Sequence, residues 1–546
     1  MISPWKNSWF AFEVERLLDI HLHSDLNAPY GVNGKFEYVL IFGIIAIFIL
    51  IIACVNYINL TTARFSSRAK EVGVRKVVGS VRSQLINQFL IESVLVCFIG
   101  TLFALILVKL FLPFLSDIAG TKLEISYFNN PYLIPGFGLL TIFLGLFSGI
   151  YPAFYLSSFR PVSVLKGKLN VRTHKSFLRN GLVVFQFSIS IFLIISTLVV
   201  YKQLDLLQNK NLGFNKEQVL VVRNASLLGE HKSAFKNELR EYTNIQNATG
   251  TSFLPGRGFS NWAVNVERYE DFTFAILVGD HDFIETLNVE LIKGRFFSKE
   301  LSTDSSSIVL NEEAAKIFGG EDPIGKVFNF KGRDFEVIGV VKNFHYDSLR
   351  NEVDKMGMVL PALNLEYYEH FILAKVNTVT ISGTIDFVKS KWEEFAPNMP
   401  FEYSFLDEDY GRLYLSEQRT QKLSLIFSFL AIFISSLGMF GLASYTAEQR
   451  TKEVGIRKVL GATASALAYS LSKEFLMKVF IANILAWPAA YFLMKYWLQD
   501  FAYRIDLSIW IFILSGLAAL SIALFTVSFQ SIKAATANPV DSLRYE

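Results

Sequence analysis

The stretch KEVGVRKVVGS, residues 70–80, occurs almost unchanged a second time as KEVGIRKVLGA, residues 452–462. The two copies are 382 positions apart, and the same offset relates Glu92 in FLIESVLV to Glu474 in LSKEFLMK. Each motif follows one apolar run and precedes two more, and the last run leads into a Pro-Val-x-x-Leu segment that begins at Pro161 or Pro539. A period this long indicates duplication of a whole domain rather than a solenoid.

The composition is that of a membrane protein. Of the 546 residues, 52% are hydrophobic and only 18% are charged, whereas soluble domains carry about 25% charged residues. The net charge of +3 gives no general indication of nucleic-acid binding. Both cysteines, Cys54 and Cys97, lie in apolar runs, which excludes a disulfide framework. The N-terminal residues lack a basic start followed by an apolar core, so no signal peptide is predicted.

Seven segments are long and apolar enough to cross a bilayer as helices, for which about 18 residues suffice. They are approximately residues 38–60, 89–115, 133–156, 178–200, 422–445, 475–497 and 508–530. Lys and Arg concentrate in loops 61–84, 157–179 and 446–466, which places these loops and the C-terminus in the cytoplasm. The N-terminus and residues 201–421 are then outside, and loop 498–507 is a short outer connection.

The outer segment 201–421 mixes alternating strands such as QVLVVRN and FEVIGVV with amphipathic helices such as HKSAFKNELREY, which predicts an α+β domain. The fold class is therefore an α-helical integral membrane protein of two repeated three-helix units plus one leading helix, with an α+β extracytoplasmic domain. The predicted domains are 1–36, the remnant of a first outer domain; 37–168, the first helical unit; 169–200, the leading helix; 201–421, the outer domain; and 422–546, the second helical unit.

The repeated motif has the pattern of a short amphipathic helix. Glu71 and Arg75 are four residues apart with the acid first, which favours an ion pair on one helical face. Val74, Val77 and Val78 form an apolar patch on another side, and Gly79 is placed to end the helix. The second copy repeats this pattern with Glu453, Arg457, Ile456, Val459, Leu460 and Gly461. Such a helix suits docking into a groove of a cytoplasmic partner; the alternative is attachment to anionic lipid.

The segments EVGVRKVVGS and EVGIRKVLGA, with the glutamate on the following helix and the endings PVSVLKG and NPVDSLRY, resemble the FtsX-like permease domain. The outer segment resembles the periplasmic domain of MacB-type ABC transporter permeases through GRFFSKE, SIVLNEEAAKIFGGEDPIGKVF and FEVIGVVKNFHYDSL. The chain is most similar to the double-length form with two permease units, and the resemblance implies that the first helix and most of the first periplasmic domain are missing. It also implies a multi-pass protein of the bacterial inner membrane.

The resemblance implies a non-catalytic permease subunit that passes the motion of a separate, dimeric ABC ATPase to the outer domain and exports a lipophilic or peptide-like substrate. The motif would be the coupling helix on that ATPase, with contact residues Glu71, Arg75, Lys76, Glu453, Arg457 and Lys458. Glu92 and Glu474 would either pair with neighbouring basic residues or transmit the motion. No cofactor and no nucleic-acid partner are expected; membrane lipid and a periplasmic or outer-membrane protein are further expected partners. The alternatives are an FtsX-type regulator of a cell-wall hydrolase and a seven-helix sensor.

Other patterns in the sequence predict no chemistry. Gly320, Gly325 and Lys326 imitate a phosphate-binding loop, but Val327 replaces the required Ser or Thr and a strand follows, so a turn between a helix and a strand is predicted. His21 with His23, His281 and His345 are interpreted as solvated or structural groups.

Overall fold

The structure is a computed structural model that describes residues 16, 36–63, 65–125, 130–157, 174–256, 261–266, 272–330, 333–361, 370–377 and 381–536. These residues form two compact units. The membrane unit comprises the described residues up to position 201, those of 416–496 and those from 506 onward, and the α+β unit comprises those of 202–415 and 497–505. His21, His23, Pro161 and Pro539 lie outside the described residues.

The membrane unit contains seven helices of sufficient length and apolarity to span a bilayer among the residues described. These seven helices, together with two short ones that carry the repeated motif, are α1 (Phe36–Ala63), α2 (Phe65–Val77), α3 (Arg82–Ala119), α4 (Leu133–Leu156), α5 (His174–Asn209), α11 (Leu415–Gln449), α12 (Thr451–Val459), α13 (Ala464–Leu498) and α14 (Ile509–Thr536). Each predicted apolar segment falls on one long helix, so the predicted fold class is confirmed.

The helices of the membrane unit are joined by contacts between polar side chains and by close backbone approaches. Ser190 on α5 is 2.9 Å from the Ser435 hydroxyl on α11, and Asn56 on α1 donates through Nδ2 to the Ile434 carbonyl at 2.5 Å. A Cβ atom at Gly438 would overlap the Asn56 amide. Small and hydroxyl residues at such crossings allow membrane helices to approach closely.

Positions 56 and 438 are 382 apart, which is the offset of the repeat. The first helices of the two copies, α1 and α11, therefore meet at equivalent positions. Near this crossing Leu60 packs where a side chain at Gly441 would lie, and Phe42 contacts Phe427 with ring centroids 5.8 Å apart. The first helices of the two copies thus contact each other at or near equivalent positions.

The α+β unit is built on two sheets. Its strands are β1 (Val219–Arg223), β2 (Ile245–Thr251), β3 (Asn261–Val266), β4 (Phe272–Val278), β5 (Leu291–Gly294), β6 (Ser307–Asn311), β7 (Val327–Phe330), β8 (Arg333–Val341), β9 (Met356–Val359), β10 (Phe371–Val376) and β11 (Tyr403–Phe405). Its helices are α6 (Lys232–Glu241), α7 (Phe283–Leu287), α8 (Glu312–Ala315), α9 (Ile381–Phe395) and α10 (Leu406–Arg412). Its described residues also include three short 3-10 helices, Ala225–His231, Ser302–Ser306 and Lys316–Phe318.

The smaller sheet has the order β11-β1-β10-β2 and is antiparallel throughout. Phe235 on α6 and Trp392 on α9 are fully buried against this sheet, in a core with Leu220 and Ile372. The larger sheet has the order β5-β8-β6-β9-β4-β3-β7, and β7 also pairs with β8, so six of its strands close into a ring. The α+β expectation for the outer segment is confirmed.

Two details of the α+β unit concern the sequence predictions. The connection 497–505 is a loop, as predicted, and it packs with this unit because Phe501 is buried in its core. Ala502 also donates to the Arg350 carbonyl at 2.9 Å. The phosphate-loop imitation is a turn: Lys326 pairs with Glu321 at 2.7 Å, and strand β7 rather than a helix follows.

Candidate coupling surface

The two motif helices α2 and α12 form the same ion pair at their matched positions. Arg75 is 2.8 Å from Glu71, and Arg457 is 2.7 Å from Glu453. The predicted pairing is therefore present in both copies. All four side chains are substantially exposed, and such pairs contribute roughly 0.3–0.5 kcal/mol each to helix stability. Their effect is to fix the direction of the guanidinium groups rather than to hold the fold together.

One face of each motif helix is buried against the membrane unit. Val72 and Val454, at matched positions, are 2% and 7% exposed. Val72 packs with Leu85, Phe89, Ala153 and Leu156; Val454 packs with Leu467, Leu471 and Ala535. Each motif helix is therefore attached to the long helix that follows it, α3 or α13, and to the last helix of its own copy.

Another face of each motif helix exposes large apolar side chains. This surface, called here the apolar ridge, consists of Val74, Val77 and Val78 in the first copy and Ile456, Val459 and Leu460 in the second. Their exposed fractions are 52–82% in the first copy and 46–80% in the second, and they rise in the same order along each helix. Contiguous exposed apolar side chains rimmed by charge are characteristic of interaction sites.

Both motif helices end in the same backbone turn. Gly79 and Gly461 adopt φ of +107° and +92°, a region that glycine enters without steric cost. The amide of Ser80 donates to the Arg75 carbonyl at 3.0 Å, and that of Ala462 to the Arg457 carbonyl at 2.9 Å. This is the hydrogen bond of a Schellman cap. The turn leads directly into α3 and α13, so little flexible chain separates each ridge from its membrane helix.

Lys76 is placed differently from the other predicted contact residues. Its ammonium donates to the Ser157 carbonyl at the end of α4, at 2.6 Å. Burial and the neighbouring Arg82 lower the pKa of Lys76. The structure therefore gives Lys76 a partner at the end of a helix, which the spacing of the motif did not indicate. Lys458, at the matched position, is half-buried.

Glu474 lies on α13 and pairs with two cations. Arg450, which precedes α12, is 3.1 Å from one of its oxygens, and Lys478 is 3.5 Å from the other. This agrees with the structural pairing considered for this carboxylate, and it ties the start of the motif helix to the membrane helix that follows. Glu92, at the equivalent position on α3, is half-buried.

Two repeated helical units, which precede and follow an α+β domain in the sequence, define a multi-pass membrane protein. Comparison with protein families identifies both parts. The FtsX-like permease C-terminal family matches residues 43–161 and again 425–539, and the MacB-like periplasmic core domain family matches residues 182–384. The chain therefore contains two FtsX-like permease domains and one MacB-like periplasmic core domain.

Its curated relatives include macrolide export ATP-binding/permease proteins named MacB. The protein from Haemophilus ducreyi is 25% identical over 301 residues, which are 51% of this chain and 42% of the relative. That from Campylobacter jejuni is 30% identical over 121 residues, which are 22% of this chain and 18% of the relative. The chain thus spans less than half the length of these relatives.

Two solved structures are similar to parts of this chain. The periplasmic region of MacB from Actinobacillus actinomycetemcomitans is 19% identical, with 38% of this chain and 96% of that one covered and a TM-score of 0.26. A domain of a putative permease from Porphyromonas gingivalis is 16% identical, with 35% and 91% covered and a TM-score of 0.27.

Proposed function

We propose that this chain is the non-catalytic transmembrane subunit of an ABC transporter in a bacterial inner membrane. The apolar ridges of α2 and α12 dock on a dimeric cytoplasmic ATPase that is a separate chain. ATP-driven motion of that partner passes along the helices to the α+β unit, which lies outside the membrane and moves a lipophilic or peptide-like substrate outward. A periplasmic or outer-membrane protein would receive that substrate.

The observation that carries this proposal is the matched exposure of the two motif helices. In each copy Val72 or Val454 holds the helix to the bundle, while three apolar side chains at the spacing i, i+3 and i+4 remain exposed. Attachment to lipid requires charge and apolar area but no fixed order of residues. A surface repeated residue by residue fits a partner that presents the same groove twice, as a two-fold dimer does.

The Schellman turns support transmission as well as docking. Gly79 and Gly461 end the motif helices within a few residues of α3 and α13. Because the connecting segment is short and hydrogen-bonded, a displacement of the ridge is passed to the membrane helix that follows. Glu474 adds a second connection through Arg450. We expect Arg75, Arg457 and the acids paired with them to border the contact, and Lys76 to act by holding α2 against α4.

The test changes the ridge in both copies at once. The double variant Val78→Asp with Leu460→Asp places charge at the two most exposed ridge positions. When the tagged full chain is purified from its native host, we expect co-purifying, vanadate-sensitive ATPase activity to fall by about tenfold or more, as expected for loss of contacts at the centre of an interface. Leu227→Asp, at an exposed position of the α+β unit (43%), is the matched control.

Retention of the ATPase by the double variant, with the chain still inserted in the membrane, would exclude the ridge as the docking surface. The charge-reversal pair Arg75→Glu and Arg457→Glu then tests whether the cationic side of the helix makes the contact instead. The MacB-like core domain does not favour the alternative of an FtsX-type regulator, for which a smaller interaction domain is expected.

A further inference from the structure

A cleft of about 640 Å³ lies within the membrane unit, between the first turns of α5 and the middle of α13. Lys473, Glu474 and Lys478 line it from α13, and Gly181 and Val184 line it from α5. The cleft is distinct from the apolar ridges, and docking of a partner on the ridges makes no use of its lysines.

The cleft carries an excess of positive charge. Glu474 is shared between Arg450 and Lys478, at 3.1 and 3.5 Å. Lys478 is 8% exposed, so its ammonium is held in the cleft rather than extended into solvent. Lys473 lines the cleft and adds a third cation. Three cations, Arg450, Lys473 and Lys478, are therefore placed with the carboxylate of Glu474 at this cleft.

The depth of these cations matches the headgroup level of a bilayer. On α13 the sixteen residues between Lys478 and Lys495 carry no charge, and they span about 24 Å of helix. The hydrocarbon core of a bilayer is about 30 Å thick. On α5 no charged residue occurs between Arg179 and Lys202. Lys478 and Arg179 thus mark the boundary of the apolar region on the side of the membrane that carries the motif helices.

The two copies of the repeat differ at this cleft. By the offset of 382, Lys473 corresponds to Ile91 and Lys478 to Val96, although Glu474 corresponds to Glu92. The lysines are therefore absent where the first copy repeats the motif and the carboxylate. They are therefore specific to the second copy, where the leading helix α5 forms the other wall of the cleft.

We propose that the cleft binds the phosphate of one anionic membrane phospholipid, with an acyl chain along Val184, Met477 and Ile481. The cations supply the charge complementary to the phosphate, and basic pockets between membrane helices are known to take such headgroups. The apolar lining below them supplies the surface for the chain, which favours a lipid over a free phosphate ion. This inference does not rest on the proposed docking of an ATPase.

The test is native mass spectrometry of the detergent-solubilised full chain titrated with palmitoyl-oleoyl phosphatidylglycerol or with palmitoyl-oleoyl phosphatidylcholine. We expect one phosphatidylglycerol to bind about tenfold tighter than phosphatidylcholine, and Lys473→Gln with Lys478→Gln to abolish that preference. Lys495→Gln is the matched control: it makes the same change at the other end of α13, where the lysine lies 5.7 Å from the Tyr491 ring. We expect Lys495→Gln to keep the preference.

A second variant fills the cleft without changing its charge. A Cβ atom at Gly181 has no neighbour within 4 Å, so Gly181→Leu is accommodated and also improves helix propensity. We expect this variant to elute as wild type in gel filtration and to lose the bound lipid. If the double lysine variant fails to fold, Gly181→Leu still tests whether the cleft binds the lipid.

Three results would overturn the proposal. They are equal binding of the two lipids by the wild type, an unchanged preference in both the double lysine variant and Gly181→Leu, and displacement of the lipid by millimolar inorganic phosphate. The last result would identify a free-phosphate site instead.

Discussion

At the scale of single residues, the contact between Asn56 and Gly438 shows how closely the two copies approach. The Asn56 amide occupies the space that a side chain at position 438 would need. Its Nδ2 donates a hydrogen bond to the Ile434 carbonyl. The sequence does not indicate this contact, because each residue is one small or polar position in an apolar run. The contact forms only because two helices that are 382 positions apart in the sequence cross in the structure.

We expect Gly438→Val to destabilise the membrane unit by about 1–3 kcal/mol, the usual cost of overpacking a tight site. The thermal unfolding midpoint of the full chain in detergent measures this. Gly43→Val is the control, because a Cβ atom at Gly43 on α1 has no neighbour within 4 Å. Equal midpoints for the two variants would mean that α1 and α11 do not cross as described.

Other residue-level features follow directly from spacing. The pairs of Glu71 with Arg75 and of Glu453 with Arg457 were predicted because residues four apart share a helical face, and both are present. The bond from Lys76 to Ser157 could not be predicted, since it requires knowing that the end of α4 lies beside α2. The role of these residues at a partner stays a prediction.

At the scale of elements, the connection 497–505 has a packing role that its sequence does not indicate. It is short and nearly neutral, which predicts a loop, and the structure confirms the loop. In the structure Gln203 bonds to it twice, donating to the Tyr503 carbonyl at 2.8 Å and accepting from the Ile505 amide at 3.0 Å. Phe501 also enters the core of the α+β unit. Burial of this kind depends on distant partners and leaves no local pattern.

We expect His345 to make the packing of this connection sensitive to pH. The centroid of its ring lies 5.0 Å from that of the Tyr503 ring. The Lys210 ammonium lies 3.2 Å from the centroid of the same Tyr503 ring. Burial lowers the pKa of His345, and the charge of Lys210 lowers it further. A histidine whose folded pKa is depressed takes up protons more readily when unfolded, so its contribution to stability is complete above about pH 6.5 and is lost as the pH falls.

We therefore expect limited proteolysis within 497–505 to be faster at pH 5 than at pH 7.5. In His345→Phe the increase should be smaller, because the ring contact remains without a titrating group. The remaining slope is assigned to His281 and His370, whose pKa values burial also lowers. An identical pH dependence in wild type and variant would show that His345 does not control this attachment.

At the scale of the whole molecule, the predicted orientation is the expectation on which the proposed function depends. The seven helices were predictable because long runs without charge have few other solutions. The ends of the helices were harder to predict. For example, α11 begins at Leu415 rather than near 422, because charged residues such as Arg419 and Lys422 continue the helix beyond the apolar run. The cleft of Lys473 and Lys478 was not predictable, since its second wall comes from another part of the chain.

The orientation can be tested with single cysteines in a chain whose two native cysteines are replaced by serine. We expect Leu460→Cys and Leu227→Cys to react with a membrane-impermeant maleimide from opposite sides of the membrane, since Leu460 directly follows the second motif helix and Leu227 lies in the α+β unit. Both positions are exposed in the structure. Labelling of both from the same side would contradict the predicted topology and with it the docking of a cytoplasmic ATPase.

The crossing of α1 and α11 has one more consequence. In an assembly of two identical subunits, any residue on the symmetry axis must face a copy of itself. An asparagine there would meet a second asparagine, and a glycine a second glycine. Joining both halves in a single polypeptide removes that restriction. The larger Asn56 can then pack against Gly438, which has no side chain. A hybrid built from two second halves would have a cavity at this position, because glycine would face glycine. In a hybrid built from two first halves, two asparagine side chains would overlap and keep the helices apart.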